Sequence, residues 1–286
     1  RLPAQRRRTN QPRVGVRGSS RWVACLAGVT FARGASGTPL EHDEQKYSAW
    51  QSEKHTFYAS SASDAGIVYA RPQLTLGYGA PFWQFSGFDG YLISTPGFAA
   101  AYAGWRASLP FLDVQFGRRW NYPFNRRYLP KKDKYRPRDL ELTDGAERSA
   151  YAVTEGELTL LAPVLHGAVF VEFHPMWFDA PQDKNVFEEV MRTVVVPPFA
   201  MRTRLGYVYG AGDSQDVKFG AMVEYLVTPG RPMNTTRLGP LAVVSFRKDF
   251  EGLFTTTVVV SGPDELGAYA GSYGFLGVRY RWAQRF

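Results

Sequence analysis

The sequence predicts an all-β protein, an antiparallel up-and-down transmembrane β-barrel of about twelve strands. Three observations lead to this prediction. The first residues are basic and then apolar, the remaining chain alternates between polar and apolar residues with a period of two, and short and long connections alternate between the strand-like runs. A period of two indicates strands whose two faces meet different surroundings.

Residues 1–37 have the composition of a secretory leader. Eight arginines and no acidic residue precede Thr38, and an apolar stretch, 22–31, is followed by small residues at 34–37. This stretch is too short for a membrane-spanning helix, which needs roughly 20 residues. We therefore predict a signal peptide over 1–37 and a single barrel domain over 38–286; a plain basic tail is the alternative.

The net charge of +8 does not indicate a nucleic-acid partner. Beyond Gly37 the chain has 26 basic and 26 acidic residues, so its excess of positive charge belongs to the leader. Cys25, the single cysteine, also lies in the leader. The exported part therefore has neither disulfides nor thiol chemistry.

Alternating runs define the strands. Leu205, for example, shares an apolar face with its second neighbours, whereas Arg202 and Arg204 share the opposite face. Charges of both signs on the polar faces are hard to bury in a soluble sandwich, which favours a barrel with its apolar faces in lipid. Working back from Phe286, we predict strands near 273–286, 252–261, 238–248, 216–227, 200–210, 165–177, 149–162, 109–120, 97–106, 82–93, 67–78 and, weakly, 45–59.

The connections between these runs alternate in length. Short turns on one side and long loops on the other are typical of outer-membrane barrels. Aromatic residues gather at the strand ends, where a membrane interface favours them: Trp83, Trp105, Tyr209 and Trp282 at one side, Trp120, Trp177 and Tyr225 at the other. The predicted short turns are 79–81, 107–108, 163–164, 211–215 and 249–251, and the predicted long loops are 60–66, 121–148, 178–199, 228–237 and 262–272, with a brief exception at 94–96.

The last run, 274–286, alternates and closes on the aromatic residue Phe286. It resembles the closing strand of Gram-negative outer-membrane β-barrel proteins. The resemblance covers the leader, this strand and the general order of strands, and it concerns location rather than activity. It implies a place in the bacterial outer membrane, contact with the lipid bilayer, and recognition of Phe286 by the barrel-assembly machinery.

Strand parity places many charged side chains inside such a barrel. If their signs segregate, they line a water-filled pore; if they interdigitate as ion pairs, they fill the lumen. About twelve strands leave room for either case. Arginines outnumber acids among these positions, which favours anions. The predicted lumen residues are Arg71, Asp113, Arg119, Glu155, Glu157, Glu172, His174, Arg202, Arg204, Glu224, Arg247, Arg279 and Arg281.

The long loop 121–148 combines basic and aromatic residues. In an extracellular loop this composition fits binding to lipopolysaccharide phosphates, an inward fold that constricts a pore, or a simple solvated loop, and it disfavours nucleic acid. In the next long loop, Asn185 to Arg192 is predicted to form a short capping helix. The basic patch comprises Arg126, Arg127, Lys131, Lys132, Lys134, Arg136 and Arg138.

We predict no metal, cofactor or covalent chemistry. The four histidines are scattered. His166 and His174 lie eight residues apart on one strand, or roughly 26 Å. No G-x-S-x-G motif occurs, and His174 is the one candidate for a lipid-modifying enzyme.

The leading functional hypothesis is a narrow outer-membrane channel for passive passage of small, anionic solutes, without enzymatic activity. A closed barrel that acts as a surface-binding or structural protein is the alternative. An enzyme centred on His174 is the third hypothesis.

Overall fold

The computed structural model describes residues 55–212 and 215–286. The predicted leader, Cys25 and the first part of the weakly predicted strand 45–59 lie outside these ranges. The strands of the barrel are Thr56–Gly66 (β1), Tyr69–Arg71 (β2), Gln73–Ala80 (β3), Gln84–Ser94 (β4), Phe98–Leu109 (β5), Leu112–Pro123 (β6), Tyr151–Val164 (β7), Gly167–Asp179 (β8), Phe199–Ala211 (β11), Val217–Val227 (β12), Thr235–Arg247 (β13), Phe250–Ser261 (β14) and Tyr273–Arg285 (β15), with β9 and β10 in a loop described below.

The strands close into an antiparallel barrel with sequential neighbours. β15 pairs with β1, with Arg285 opposite Tyr58 and Gly277 opposite Gly66. Pro72 separates β2 from β3, and both lie between β1 and β4. Since proline has no N–H to donate, the interruption at this point is expected. The barrel therefore has twelve strand positions, and the predicted fold class is confirmed.

The two ends of the barrel differ in the length of their connections. At the turn rim, the short connections are 81–83, 110–111, 165–166, 212–216 and 248–249. At the loop rim, the connections are 67–68, 95–97, 124–150, 180–198, 228–234 and 262–272.

The predicted long connection at 60–66 is wrong. These residues belong to β1, and only Ile67 and Val68 join it to β2. The outward face of β1 carries the small or polar residues Ala59, Ser61, Ser63 and Ala65, so an apolar alternation was not visible there.

Apolar side chains cover the outside of the barrel, and charged side chains lie inside. Phe88 is 75% exposed and Leu205 is 53% exposed, whereas Arg119 and Arg237 are each 1% exposed. A water-soluble β-protein has the reverse distribution. The exterior is therefore a hydrocarbon-facing surface, as the sequence predicts.

Aromatic residues flank this surface at both rims. Trp105 and Trp282 point outward near the turn rim, and Trp120 and Trp177 point outward near the loop rim. Indole rings are well placed at the level of lipid headgroups. In the described ranges, no helix has the length and apolar character needed to cross a bilayer.

Loop 180–198 folds into the mouth of the barrel as a two-stranded hairpin, Val186–Glu188 (β9) and Thr193–Val195 (β10). The predicted helix from Asn185 to Arg192 is therefore wrong. Val186 packs with the inward-facing Met176 and Leu226, while the next residue, Phe187, packs on the other side of the hairpin. This alternation explains why the segment is extended. We call residues 185–195 the inner hairpin.

The other long loops cover the inner hairpin. Loop 124–150, which holds a 3-10 helix at Pro137–Leu140, and loop 262–272, which holds a short helix at Gly267–Gly271 (α1), supply this layer. Tyr135 and Leu266 pack against Phe187 in one buried cluster. Most of the loop rim is thus closed by two stacked layers.

Candidate functional site

Charged side chains from six neighbouring strands form a continuous network on one side of the barrel interior. Arg204 Nε donates to Glu224 at 2.7 Å, and Arg204 Nη1 lies 3.6 Å from Glu172. Glu224 also accepts from Arg237 at 2.8 Å, and Glu172 accepts from Arg202 at 2.6 Å. Each of these two carboxylates therefore lies between two guanidinium groups. The charge ladder comprises Arg237, Glu224, Arg204, Glu172, Arg202, His174, Glu155 and Arg119.

His174 is a link in this ladder. Arg202 Nη2 lies 2.8 Å from His174 Nδ1, and because a guanidinium can only donate, Nδ1 accepts. The ring proton is then on Nε2, which donates to Glu155 at 3.3 Å. Arg119 binds the same carboxylate at 2.9 Å. Both ring nitrogens therefore have a hydrogen-bond partner, so the ring bridges Arg202 and Glu155.

A three-residue group with metal-ligand chemistry lies within the ladder. Ligand atoms of Glu157, Glu172 and His174 are within 4.8 Å of one another. Sequence spacing did not reveal this group because its members come from two strands, β7 and β8. Arg202 Nη2 lies 3.8 Å from Glu157 and 2.6 Å from Glu172. The guanidinium thus supplies the positive charge that these carboxylates require.

The inner hairpin is bound to both ends of the ladder. Glu188 accepts from Arg119 Nη1 at 2.7 Å. At the other end, Arg237 donates to the carbonyl oxygens of Met191 at 2.6 Å and Arg192 at 2.7 Å. These bonds satisfy buried charges and fix the hairpin inside the mouth.

Glu189 connects the inner hairpin to Arg126 of loop 124–150. Its carboxylate accepts from Arg126 at 3.0 Å and from Arg192 at 3.4 Å. Burial raises the pKa of Glu189 above its ordinary value, although the positive charges of Arg126 and Arg192 act in the opposite direction. Glu189 is therefore a carboxyl group that takes up a proton more readily than an exposed one.

A second charged group lies on the far side of the interior, on β1, β2 and β15. Asp64 accepts from Arg71 at 2.5 Å and from Arg279 at 2.6 Å. The guanidinium of Arg71 lies over the ring of Tyr91, 5.7 Å from its centroid. Charge and aromatic surface therefore meet at this position.

Two glycines allow aromatic rings to line the far side. A Cβ atom at Gly104 or Gly117 would overlap the hydroxyl group of Tyr102, so only glycine leaves room for this ring. Tyr91 stacks on Tyr102 with a centroid distance of 4.6 Å and an interplanar angle of 9°. Further apolar side chains extend the surface across β13, β14 and β15. The apolar wall comprises Tyr69, Tyr91, Ile93, Phe98, Leu241, Val243, Leu253 and Phe275.

A cavity of about 520 Å³ lies between the charge ladder and the apolar wall. Its lining reaches the loop rim at Val68 and at residues 95–97, the two short connections. At the loop rim the cavity is therefore bordered both by these short connections and by Arg126, Val190 and Arg192 of the long loops. Seven arginines (Arg71, Arg119, Arg126, Arg192, Arg202, Arg204 and Arg279) and five carboxylates (Asp64, Glu155, Glu157, Glu172 and Glu189) line it.

A second layer of ion pairs fills the interior toward the turn rim. Arg106 pairs with Asp113 at 2.5 Å, and Arg281 pairs with Glu251 at 2.7 Å. Phe82, from turn 81–83, places its ring 5.9 Å from the guanidinium carbon of Arg281. We call Arg106, Asp113, Glu251 and Arg281 the turn-rim layer, and none of these four residues lines the cavity. An apolar cluster packs in the same half of the barrel: Leu161, Ala168, Phe170, Val208, Met222 and Leu241.

Twelve of the predicted lumen residues have their side chains inside the barrel, and Arg247 does not. Arg71, Asp113, Arg119, Glu155, Glu157, Glu172, His174, Arg202, Arg204, Glu224, Arg279 and Arg281 are buried or half-buried there. The side chain of Arg247 is 72% exposed at the turn rim, where it pairs with Asp249. A bulge between Ser245 and Arg247 breaks the period of two, which explains the error.

The sequence did not identify several charged residues of the interior. Arg237 lies just outside the predicted strand 238–248, but β13 begins at Thr235. Glu188 and Glu189 were hidden in a segment predicted as a helix. A longer β13 was detectable in principle, because Thr235 and Arg237 continue the alternation of that strand.

The basic patch divides between the interior and the surface. Arg126 turns inward, pairs with Glu189 and lines the cavity. Arg127 is half-buried and donates to the carbonyl oxygen of Asp139. The other members, Lys131, Lys132, Lys134, Arg136 and Arg138, are exposed. One of the seven basic residues thus follows the predicted inward fold, and five face solvent.

The chain is similar in fold to solved structures of outer-membrane proteins. A KdgM porin in complex with disordered oligogalacturonate has 9% identity and a TM-score of 0.41, with 78% of this chain and 98% of that chain covered. A NanC porin has 8% identity and a TM-score of 0.35, covering 80% and 98%. The translocator domain of the autotransporter NalP from Neisseria meningitidis has 15% identity and a TM-score of 0.34, covering 85% and 93%. No protein-family model and no curated protein matches the chain.

The described strands form a membrane-spanning β-barrel. Its closed sheet leaves no unpaired edge, and its apolar exterior lies between two aromatic girdles. Phe286 lies at the turn rim, where its N–H donates to the carbonyl oxygen of Phe57 at 2.9 Å and its side chain is exposed.

Proposed function

We propose that the protein is a narrow channel for the passive passage of small anionic solutes. The observation that carries the proposal is the cavity lining, which contains seven arginines and five carboxylates. Low-dielectric walls strengthen the field of such an excess of positive charge, so anions are concentrated in the cavity and cations are depleted.

The proposed path begins beside the short loop-rim connections and ends at the turn-rim layer. Interdigitated ion pairs hold the arginines in place, and the cavity beside them remains open. At the turn rim, Arg281 and Glu251 fill the interior. A solute that leaves the cavity there must displace these side chains, so we expect small unitary currents.

The selectivity test replaces Arg71 and Arg192 together by glutamine. These two residues are suitable because Asp64 keeps Arg279 and Glu189 keeps Arg126, so neither carboxylate loses its last partner. The lining then has five arginines and five carboxylates. We expect the reversal potential in a KCl gradient to move from a value that indicates preference for chloride to a value near zero, which indicates no preference.

The matched control is Lys131→Gln with Arg138→Gln. It removes the same charge from exposed loop residues outside the cavity lining. We expect this variant to keep the wild-type reversal potential. An unchanged anion preference in the Arg71→Gln, Arg192→Gln protein would remove the cavity arginines from the proposed mechanism.

A closed barrel is the second candidate, and the turn-rim layer favours it. Arg106, Asp113, Glu251 and Arg281 are each at most 3% exposed and are paired with one another. If these pairs never separate, the cavity is a binding pocket open at the loop rim only. Folded, bilayer-inserted protein that gives no current steps at any voltage would support this candidate.

We also propose two partners at the rims. The exposed basic residues Lys131 and Arg138 fit lipopolysaccharide phosphates, and the Lys131→Gln, Arg138→Gln protein should bind purified lipopolysaccharide more weakly than wild type.

The exposed ring of Phe286 fits recognition by the barrel-assembly machinery, and Phe286→Ala should slow insertion by that machinery without changing the finished barrel.

A further inference from the structure

The cavity has two chemically different sides. On β6, β7, β8 and β11 its surface is mainly charged and belongs largely to the charge ladder. On β2, β4, β5, β13, β14 and β15 it carries the apolar wall, and Asp64, Arg71 and Arg279 are the charged residues on that side. Leu253, Val243 and Phe275 are half-buried inside the barrel and border the cavity rather than the lipid. A pore that carried only hydrated inorganic ions would have no need of this apolar surface.

At two positions in the cavity lining a guanidinium lies beside an aromatic ring. Arg71 lies 5.7 Å from the ring centroid of Tyr91, and Arg204 lies 6.0 Å from that of Tyr273. Near the first position, Tyr69 and Phe275 pack edge to face at 5.3 Å. A carboxylate bound by Arg71 would therefore place the rest of its molecule against aromatic and aliphatic carbon.

We propose that the cavity selects monocarboxylates with an apolar body, aryl or alkyl, over equally charged polyhydroxylated acids. This inference rests on the proposed channel function and names its solute class. Arginine provides charge-assisted hydrogen bonds to the carboxylate, and the apolar wall removes the hydrocarbon part from water.

Size and polarity both support this class. A cavity of about 520 Å³ lies within the range of roughly 300–1,000 Å³ that suits small organic ligands. Hydroxyl groups of a sugar acid, placed against Leu253 or Phe275, would lose hydrogen bonds to water without gaining new ones. Such an acid is therefore disfavoured even though its charge is the same.

The test compares benzoate, gluconate and benzyl alcohol as blockers of the chloride current through the refolded full-length protein in planar bilayers. Benzoate has the charge and the apolar body, gluconate has only the charge, and benzyl alcohol has only the apolar body. We expect benzoate to block the current at a concentration at least about tenfold lower than either of the others, which corresponds to about 50 Å² of apolar contact.

Two variants of the apolar wall locate this preference. Leu253→Asn introduces an amide with the same number and branching of side-chain heavy atoms, and Val243→Thr introduces a hydroxyl with little change in shape; both residues line the cavity. In each, benzoate block should weaken severalfold while gluconate block stays the same. Met233→Gln, at an exposed loop residue, is the matched control and should behave as wild type.

The possible failures are distinct. An anion-selective chloride current that benzoate and gluconate block equally would overturn this inference and leave the channel function intact. Without any current in wild type, the channel function fails. Calorimetric titration of the folded protein then decides the cavity's preference: benzoate binding that Leu253→Asn weakens supports it, and equal or absent binding overturns it.

Discussion

At the scale of single residues, shared carboxylates organise the interior. Glu172 and Glu224 each lie between two arginines of the charge ladder, and Asp64 does so on the far side. Removing one arginine from such a trio leaves the carboxylate paired, whereas removing the carboxylate takes a charged partner from two buried guanidinium groups at once. We therefore expect Glu224→Ala to destabilise the barrel more than Arg71→Gln.

Glu189 predicts a pH dependence of selectivity. Its pKa is raised by burial, so protonation is favoured in the folded hairpin, and the contribution of this group to stability is present at low pH and lost as the pH rises through that pKa. Lowering the pH therefore neutralises this carboxyl before it neutralises an exposed glutamate, and the positive charge of Arg126 beside it is then less compensated. Reversal potentials should show stronger anion preference at the lower pH.

The control for this effect is Glu189→Gln. It should be more anion-selective than wild type at neutral pH and should respond less to acidification, with Glu188 still bound to Arg119. If wild type and Glu189→Gln respond equally to pH, a different group is responsible.

Strand parity explains how much of the site was readable from sequence. Within a strand, a period of two fixes the face of each residue, and Arg202, Arg204 and Glu172, which the sequence puts on inward faces, have buried side chains. The partner of each charged residue could not be predicted from sequence, because contacts such as that between Arg202 and His174 join two strands, β11 and β8. The inner hairpin could not be predicted either, because its extended form depends on contacts with the barrel wall.

At the scale of elements, the turn-rim layer controls the exit from the cavity. Replacing Glu251 and Arg281 together by alanine removes an ion pair without leaving a lone buried charge. We expect the unitary conductance to rise severalfold, since the narrowest part of the path becomes wider. Arg247→Ala, on the same rim but facing outward, should leave the conductance unchanged.

This pair of variants also separates the two functional candidates. A conductance that appears only in the Glu251→Ala, Arg281→Ala protein would mean that the native layer stays closed. Equal conductance in this protein and in wild type would show that the layer does not limit passage.

At the scale of the whole molecule, the arrangement of polar and apolar faces is determined by hydrocarbon outside the barrel. Leu205 lies midway along β11 with its side chain outward. An arginine at the bilayer midplane of a barrel costs about 2–4 kcal/mol, and about 0–1 kcal/mol near the interface. Leu205→Arg should therefore lower the free energy of unfolding in liposomes by about 2–4 kcal/mol.

Phe246→Arg is the depth control for this measurement. Phe246 also faces outward, but it lies next to the turn rim, where the native chain already exposes Arg247. Urea titration should show a much smaller loss of stability for this variant. Equal losses for the two substitutions would place the apolar exterior somewhere other than a bilayer core.

The closed barrel and its strand order were predictable because the alternation of polar and apolar residues is local. The residues of one strand are enough to show which of its faces is polar and which is apolar. Whether the interior is open could not be predicted from sequence. It depends on which charged groups meet across strands and on which loops fold inward. Arg119 illustrates this limit, because it binds both Glu155 on the wall and Glu188 on the inner hairpin.

The most direct test of the central claim is the single-channel current of the wild-type protein in a planar bilayer with a KCl gradient. With seven arginines and five carboxylates around the cavity, we predict small, discrete current steps whose reversal potential shows preference for chloride. Cation preference, or the lack of any current steps from correctly folded protein, would contradict it.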